Sequence, residues 1–347
     1  MQGYFHLSDP KYLRAVTNAV DLIWKDQSYA TGGWGPNESF VSPGKGELGA
    51  SLASTHRSFE TPCGSYAHLK VMRYLMRVTG DSRYGDSMER VIYNTLLGAK
   101  PIQEDGSSFY YSDYHSASHA AGCKTYKRVV PGAVYAWDLD DRWPCCSGTL
   151  PQAAADYGIN SYLRGKTGIY VNLYSPSRAS WKQNGVKCSL LQQTDYPRGN
   201  RITLTVSTAS SAAFAIYLRI PAWAGKGTSA SVNGRRLTAG PTPGAFFAID
   251  RTWKTGDRIE LEIAQPLRFE PVDAQTPGQI AIVRGAQVLF AIQEEQPRIT
   301  GADIQSAKLK PAANADWTLQ TAAGPLTLRP FPAIANENYY TYSALQL

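Results

Sequence analysis

The apolar positions of this chain follow two periods. Up to about residue 166 they recur at helical spacing, and beyond it they alternate. Ser8-Asp9-Pro10 opens a first helix, with Asp9 as N-cap and Pro10 as the first helical residue. Leu13, Val16, Val20 and Ile23 form its apolar stripe, and it ends near Asp26. Thr31-Gly32-Gly33-Trp34-Gly35-Pro36-Asn37-Glu38 is a loop by its glycine content, and a polar, Gly- and Ser-rich stretch runs on to Arg57. A second helix follows Phe59-Glu60-Thr61-Pro62-Cys63 and aligns Tyr66, Leu69, Met72 and Met76. Thr79-Gly80-Asp81 breaks it. A third helix, from about Ser82 to Leu97, turns Tyr84, Met88, Val91, Ile92 and Leu96 inward, with Gly98 as C-cap. The segment from Pro101 to Arg142 is irregular and rich in aromatics, among them Phe109, Tyr110, Tyr111, Tyr114, Tyr135 and Trp137. A loop of that length and composition points to a functional role. Leu150-Pro151-Gln152-Ala153-Ala154-Ala155-Asp156-Tyr157 opens a last helix, which ends near Gly165.

From Thr167 the period is two. Ile169–Tyr174, Arg201–Val206 and Ala213–Ile220 alternate, and further strands are expected at 229–233, 245–250, 258–263, 279–283, 286–292 and 326–329. Asn233-Gly234 and Thr255-Gly256-Asp257 are turn signals between them. Many short strands in series predict a β-sandwich. The expected class is therefore α + β and multidomain. Residues 1–165 form a helical domain, 166–270 a β-sandwich, and 271–347 a C-terminal β-rich segment completing or adjoining that sandwich.

Composition narrows the function classes. With 347 residues the chain can hold two or three domains, and 43% apolar with 18% charged residues is ordinary for a globular protein. No apolar run approaches the roughly 18 residues of a membrane span, so no membrane partner is expected. The start, Met1-Gln2-Gly3-Tyr4-Phe5-His6, lacks the pattern of a signal peptide, and the compartment stays open between cytoplasmic and extracytoplasmic. The net charge of +7 comes from 35 basic and 28 acidic residues scattered along the chain. Nucleic-acid binding needs a basic stripe or patch, and there is none. Five cysteines, Cys63, Cys123, Cys145, Cys146 and Cys188, make an odd count that leaves at least one thiol free or metal-bound.

The stretch Trp143-Pro144-Cys145-Cys146-Ser147-Gly148-Thr149 is the strongest chemical signal. Adjacent cysteines rarely bridge each other, because a disulfide wants its Cα atoms roughly 4.4–6.8 Å apart and neighbours sit at about 3.8 Å. Three readings remain: a thiolate pair gripping one metal ion, a nucleophilic thiolate beside a metal-bound one, or two small buried residues. Lying just before a helix, the pair would meet a dipole that favours the thiolate. Zinc takes thiolate, imidazole and carboxylate ligands in tetrahedral geometry, so Cys63, Cys145 and Cys146 need one more donor, and Glu60 is the nearest candidate. The spacing is not that of a zinc finger. Glu60 and Cys63 read equally as a helix-capping carboxylate and a core residue, and Glu38 reads by default as a solvated loop glutamate.

A resemblance changes that balance. Gly32-Gly33-Trp34-Gly35 with Glu38-Ser39-Phe40, Cys63-Gly64-Ser65-Tyr66, Thr79-Gly80-Asp81-Ser82-Arg83-Tyr84, Met88-Glu89-Arg90, Tyr93-Asn94 and Cys145-Cys146 occur in the order of the β-L-arabinofuranosidase family, glycoside hydrolase families 127 and 146. Ile220-Pro221-Ala222-Trp223, Val232-Asn233-Gly234, Trp253-Lys254-Thr255-Gly256-Asp257 and Arg284-Gly285 resemble its β-rich C-terminal part. The resemblance implies a zinc-dependent retaining glycosidase acting on plant-derived glycans. Cys145 would be the nucleophile. Zinc would be held by Glu60, Cys63, Cys145 and Cys146, and Glu38 would be the general acid and then the base. Two departures stand out. The family has Glu-x-Cys where this chain has Glu60-Thr61-Pro62-Cys63, so Thr61 takes the glutamate's expected place. The family's helices also complete an (α/α)6 barrel from an N-terminal half without counterpart here. A partial barrel is therefore expected for residues 1–165, in a fragment or truncated homologue that would associate with the missing half or with a second copy and act weakly alone.

Other readings are a glycosidase for another rare or branched sugar, a non-catalytic carbohydrate-binding homologue, and a redox protein using Cys145-Cys146. Tyr110, Tyr111 and Trp137 are candidates to stack on a sugar face.

Overall fold

The computed structural model describes residues 1–99, 110–116, 144–313, 316–335 and 337–346. Cys123 and the aromatics Phe109, Tyr135, Trp137 and Trp143 lie outside these residues. The chain forms two compact units, one of residues 1–71, 90–155 and 267–347, the other of residues 72–89 and 156–266. Helices precede several β-sheets, a mixed α and β chain of more than one domain. No helix among the described residues is long and apolar enough to cross a membrane.

The second unit carries a β-sandwich. One sheet orders its strands Arg235–Arg236, Ser229–Val232, Arg258–Glu262, Arg201–Thr208, Val186–Thr194, Ser177–Gln183. The other runs Ala245–Trp253, Ala212–Ile220, Gly168–Val171, Tyr162–Arg164. Alternation sends Leu190, Ile202, Leu204, Val206, Ile259 and Leu261 inward from the first sheet and Phe214, Ile216, Leu218 and Ile220 inward from the second. Trp181 of one sheet meets Phe214 of the other edge-on at 5.6 Å. The Ser177–Gln183 and Val186–Thr194 hairpin is not evident from hydropathy, since its residues are largely polar. Its signal is Asn184-Gly185, both at positive φ (49° and 84°), the pair that a tight hairpin turn demands. Gly168 is obligatory in the parallel pairing, because a Cβ there would lie 1.8 Å from the Ala215 carbonyl oxygen.

A buried ion network holds the Met72–Glu89 segment to this sandwich. Arg219, 0% exposed, projects from the Ala212–Ile220 strand. Its Nη1 donates to Asp86 Oδ1, its Nη2 to Glu89 Oε1 at 2.7 Å, and its Nε to the Asn172 carbonyl at 2.5 Å. The Tyr196 hydroxyl also donates to Glu89 Oε1 at 2.6 Å. Gly85 leaves the room required, since a Cβ would sit 2.5 Å from Arg219 Cδ.

In the first unit, the Pro10–Asp26 helix starts as its sequence predicts, with Asp9 Oδ1 accepting from the Lys11 amide at 2.9 Å. A helix at Glu47–Ser54 occupies the stretch that reads as a polar loop; its signal is only Leu48 and Leu52, both buried, one turn apart. Residues 267–347 form a large sheet whose Ala281, Val283, Val288 and Phe290 pack in one core with Tyr29, Leu48, Leu52, Phe59 and Tyr114. Hydrogen bonds fix the junction. The Ala30 amide donates to Tyr342 Oη at 2.9 Å, and the Tyr339 hydroxyl donates to the Asp113 carbonyl at 2.8 Å. The sheet thus supports the loops that carry Glu38, Glu60 and Tyr111.

Replacing Arg219 with Met leaves Asp86 and Glu89 without their buried cation and should destabilise the protein by about 3–5 kcal/mol. Urea denaturation followed by tryptophan fluorescence measures this; a loss below about 1 kcal/mol would mean the network is hydrated or compensated.

Candidate metal and catalytic site

Two helix N-termini converge on one cluster of thiols. Cys63 lies in the first turn of the Thr61–Thr79 helix, and Cys145 and Cys146 in the first turn of Pro144–Ile159. Both helices begin earlier than hydropathy suggests, so the cysteines sit inside them rather than in the preceding loops. Pro62 and Pro144 account for this: proline's fixed φ suits the first helical turn, where its missing N–H has no helical acceptor to lose. Ser147, Gly148 and Thr149, ahead of the helix start expected at Leu150, are helical for the same reason.

Cys146 is at the centre. Its Sγ lies 3.9 Å from Cys145 Sγ, 3.5 Å from Cys63 Sγ and 3.4 Å from Glu60 Oε1. The four ligand atoms of Glu60, Cys63, Cys145 and Cys146 all lie within 4.8 Å of one another. Ligands about 2.3 Å from a tetrahedral metal stand about 3.8 Å apart, so this donor set fits a single thiophilic ion and could hold one. All three thiols are free, which rules out a disulfide between Cys145 and Cys146 in this structure. Burial pushes the Cys63 thiol up to about 11, with the Glu60 carboxylate adding to the shift. Burial raises the Cys146 thiol as well, with Cys63 and Glu60 reinforcing it. Without a cation these two groups stay protonated at neutral pH; a bound cation would favour their thiolates.

The displaced glutamate reaches the cluster because it stands on a strand. Phe59–Glu60 pairs antiparallel with Tyr111–Ser112, Glu60 opposite Tyr111 and Phe59 opposite Ser112. This extended backbone aims Glu60 at the sulfurs. Thr61 is fully buried, its hydroxyl 2.6 Å from Ser112 Oγ, and does not join the cluster.

Glu38 stands on a tight turn, Pro36–Glu38, with Gly35, Asn37 and Glu38 all at positive φ (76°, 54° and 57°). For residues other than glycine this conformation costs free energy, and such outliers cluster at functional sites. Surrounding contacts impose it. The Asn37 amide donates to the Arg57 carbonyl at 2.9 Å, and the Thr55 hydroxyl donates to Asn37 Oδ1 at 2.6 Å. The Tyr111 hydroxyl donates to Glu38 Oε1, so that side chain orients a carboxylate, a role composition does not suggest. The Arg57 guanidinium lies 5.7 Å from the Tyr111 ring centroid. The neighbouring Tyr110 phenol is raised far above its usual range, first by burial and then by the carboxylates of Glu38 and Glu60.

Glu38 and Glu60 share a cavity of about 110 Å³ lined also by Trp34, Phe40, Phe59 and Gly64. The Phe59 ring can lie against residue 64 only because that residue is glycine: a Cβ there would lie 2.5 Å from the ring. Cys145 is exposed and is not among the residues lining this cavity. A second polar group missed in the sequence braces the Tyr111 strand. His56 Nδ1 is 2.8 Å from Asp113 Oδ2, and the His115 ring stacks on His56 at 4.1 Å.

Residues 1–158 match the family model of the GH127 β-L-arabinofuranosidase catalytic domain, and residues 168–265 match that of the GH127 middle domain. No curated protein matches the chain. Among solved structures it is similar to a GH127 β-L-arabinofuranosidase from Geobacillus stearothermophilus T6, at 22% identity and a TM-score of 0.70, covering 93% of this chain and 55% of that one. It is similar to a GH127 β-arabinofuranosidase at 22% identity and TM-score 0.72, covering 99% of this chain and 58% of that one. A further glycoside hydrolase is similar at 18% identity and TM-score 0.72, covering 94% and 61% respectively. At these identities the structures show a shared fold. The chain spans between 55% and 61% of their lengths.

The exposure of the thiols predicts an order of alkylation in metal-free protein at neutral pH: Cys145 first, Cys63 next, Cys146 last. Cys63 labelling should quicken as pH rises toward about 11, since only its thiolate reacts. Mass spectrometry of iodoacetamide-treated, chelated protein reads this; rapid labelling of Cys146 at pH 7 would show that the cluster is open.

Proposed function

The chain belongs to the GH127 β-L-arabinofuranosidase family, and from that membership we propose that it is a zinc-dependent retaining glycosidase releasing L-arabinofuranose from plant-derived glycans. The observation that carries the reading is the convergence of Glu60, Cys63, Cys145 and Cys146 on one tetrahedral-sized cluster, with Glu60 in the same cavity as Glu38. Zinc suits a donor set of three thiols and one carboxylate.

When bound, the ion holds the thiols as thiolates at neutral pH and restrains their reactivity. The exposure of Cys145, alone among the three cysteines of the cluster, supports its assignment as the nucleophile. Its Sγ forms a bond to the anomeric carbon as the glycosidic C–O bond breaks. Glu38, protonated at the start, gives its proton to the departing oxygen. The resulting carboxylate then takes a proton from water, whose oxygen attacks the anomeric carbon and breaks the C–S bond. Sulfur leaves as thiolate, and Glu38 is again protonated. Two displacements retain the configuration. The Tyr111 hydroxyl holds Glu38 in place through both steps.

Purified protein never exposed to chelator should contain about one zinc per chain; elemental analysis finding none would remove the basis of the mechanism. Glu60→Gln should weaken zinc retention by about 10–100-fold. Unchanged affinity would mean that another group is the fourth ligand.

Cys145→Ser should abolish turnover of aryl β-L-arabinofuranosides. Glu38→Gln should spare the first step for activated leaving groups and slow the second. Sugar binding that survives in the wild type without any turnover would favour the carbohydrate-binding reading instead.

A further inference from the structure

Thr149 is placed to act on two members of the cluster at once. It stands one helical turn after Cys145 in the Pro144–Ile159 helix, and its hydroxyl donates to the Cys145 carbonyl. The same oxygen lies 2.8 Å from Cys63 Sγ, on the other helix. A hydroxyl carries a single proton and can accept as well as donate. In the protonated cluster the bonds therefore form a relay, with the Cys63 thiol donating to Thr149 Oγ1 and Thr149 donating to the Cys145 carbonyl. Once Cys63 is a thiolate it has no proton to give and needs a donor. The only proton on this path is that of the Thr149 hydroxyl.

We infer that Thr149 is a positioning residue of the metal centre, whose hydroxyl turns its one proton from the Cys145 carbonyl to the Cys63 thiolate and so holds that ligand in place. This rests on the metal-centre reading above. Three considerations favour it. Outer-shell hydrogen bonds orient metal ligands and tune their donor strength. A hydrogen bond to an anionic acceptor is roughly twice as strong as one between neutral groups. The β-branched side chain of a helical threonine has few rotamers, so its Oγ1 is held near both acceptors at little entropic cost. Cys63 and Cys145 come from separate helices, and the Thr149 hydroxyl bridges them beside the contact of Cys146 Sγ with Cys63 Sγ.

The test compares wild type with Thr149→Val, which keeps the shape and removes the hydroxyl, and with Thr149→Ser, which keeps the hydroxyl. Zinc retention is measured by competition with a chromogenic chelator, and the cobalt-substituted proteins are examined by absorption spectroscopy. Thr149→Val should lose zinc affinity by about 10–100-fold. Its sulfur-to-cobalt charge-transfer band should move to lower energy, because a thiolate without its hydrogen bond is a better electron donor. Thr149→Ser should restore both. A structural effect alone would lower the melting temperature without moving the band. Zinc affinity within twofold of wild type, with an unmoved band in Thr149→Val, would overturn the assignment. Should that variant fail to fold, Thr149→Ala carries the same expectations and the same power to refute. Wild type that binds neither zinc nor cobalt would instead refute the metal centre itself, an outcome separate from failure of the Thr149 assignment.

Discussion

Two residue pairs of antiparallel backbone, Phe59 with Ser112 and Glu60 with Tyr111, hold the candidate site together. One strand ends in a carboxylate aimed at the thiols, and the other carries the phenol bonded to Glu38. The ladder therefore sets the relation between the group proposed to donate a proton and the cluster proposed to bind metal. So short a ladder is not stable alone. It persists because its residues sit on a core built with the C-terminal sheet, where Phe59 and Tyr114 pack among Val283, Val288, Phe290 and Tyr339.

The thiols raise a second constraint. Cys146 is buried beside the half-buried Cys63 and Glu60, and burial first, then both neighbours, disfavour its ionisation. Such a group is costly unless a cation compensates it. Both cysteine-bearing segments are helix N-termini, whose dipoles favour anions, so the backbone already leans toward the thiolate form. The neutral relay through Thr149 meets that demand in one way, and the cation of the proposed metal centre would meet it in another.

The other unit handles buried charge differently. Arg219 is enclosed and satisfied by Asp86, Glu89 and the Asn172 carbonyl. The network is of a kind that specifies one packing rather than one chemistry. Buried charge by itself does not mark a site. What distinguishes the cysteine cluster is that three thiols and a carboxylate lie within one metal-sized group.

Local rules were enough for several elements. The Asp9 cap, the Pro10 start and the spacing of Leu13, Val16, Val20 and Ile23 define the first helix, and period-two alternation defines the strands around 201–220. The cysteine pair and the helix at Cys63 were legible as potential ligands because thiols adjacent to prolines and helix starts carry their chemistry in their neighbours. Where a side chain's setting depended on distant partners, the sequence could name the residue without orienting it. Glu60 has the wrong spacing on paper, and only pairing with Tyr111, 51 residues away, turns its carboxylate to the sulfurs. Tyr111 reads as a stacking aromatic until the fold places its hydroxyl on Glu38. Arg219 looks misplaced in an apolar strand until Asp86 and Glu89 meet it. That residues 267–347 share a unit with the loops of Glu38 and Glu60 was likewise decided by tertiary packing. Periodicity and capping are local and survive in any window of the chain; register, burial and ion pairing are set by which distant segments meet, and that is fixed only when the core closes.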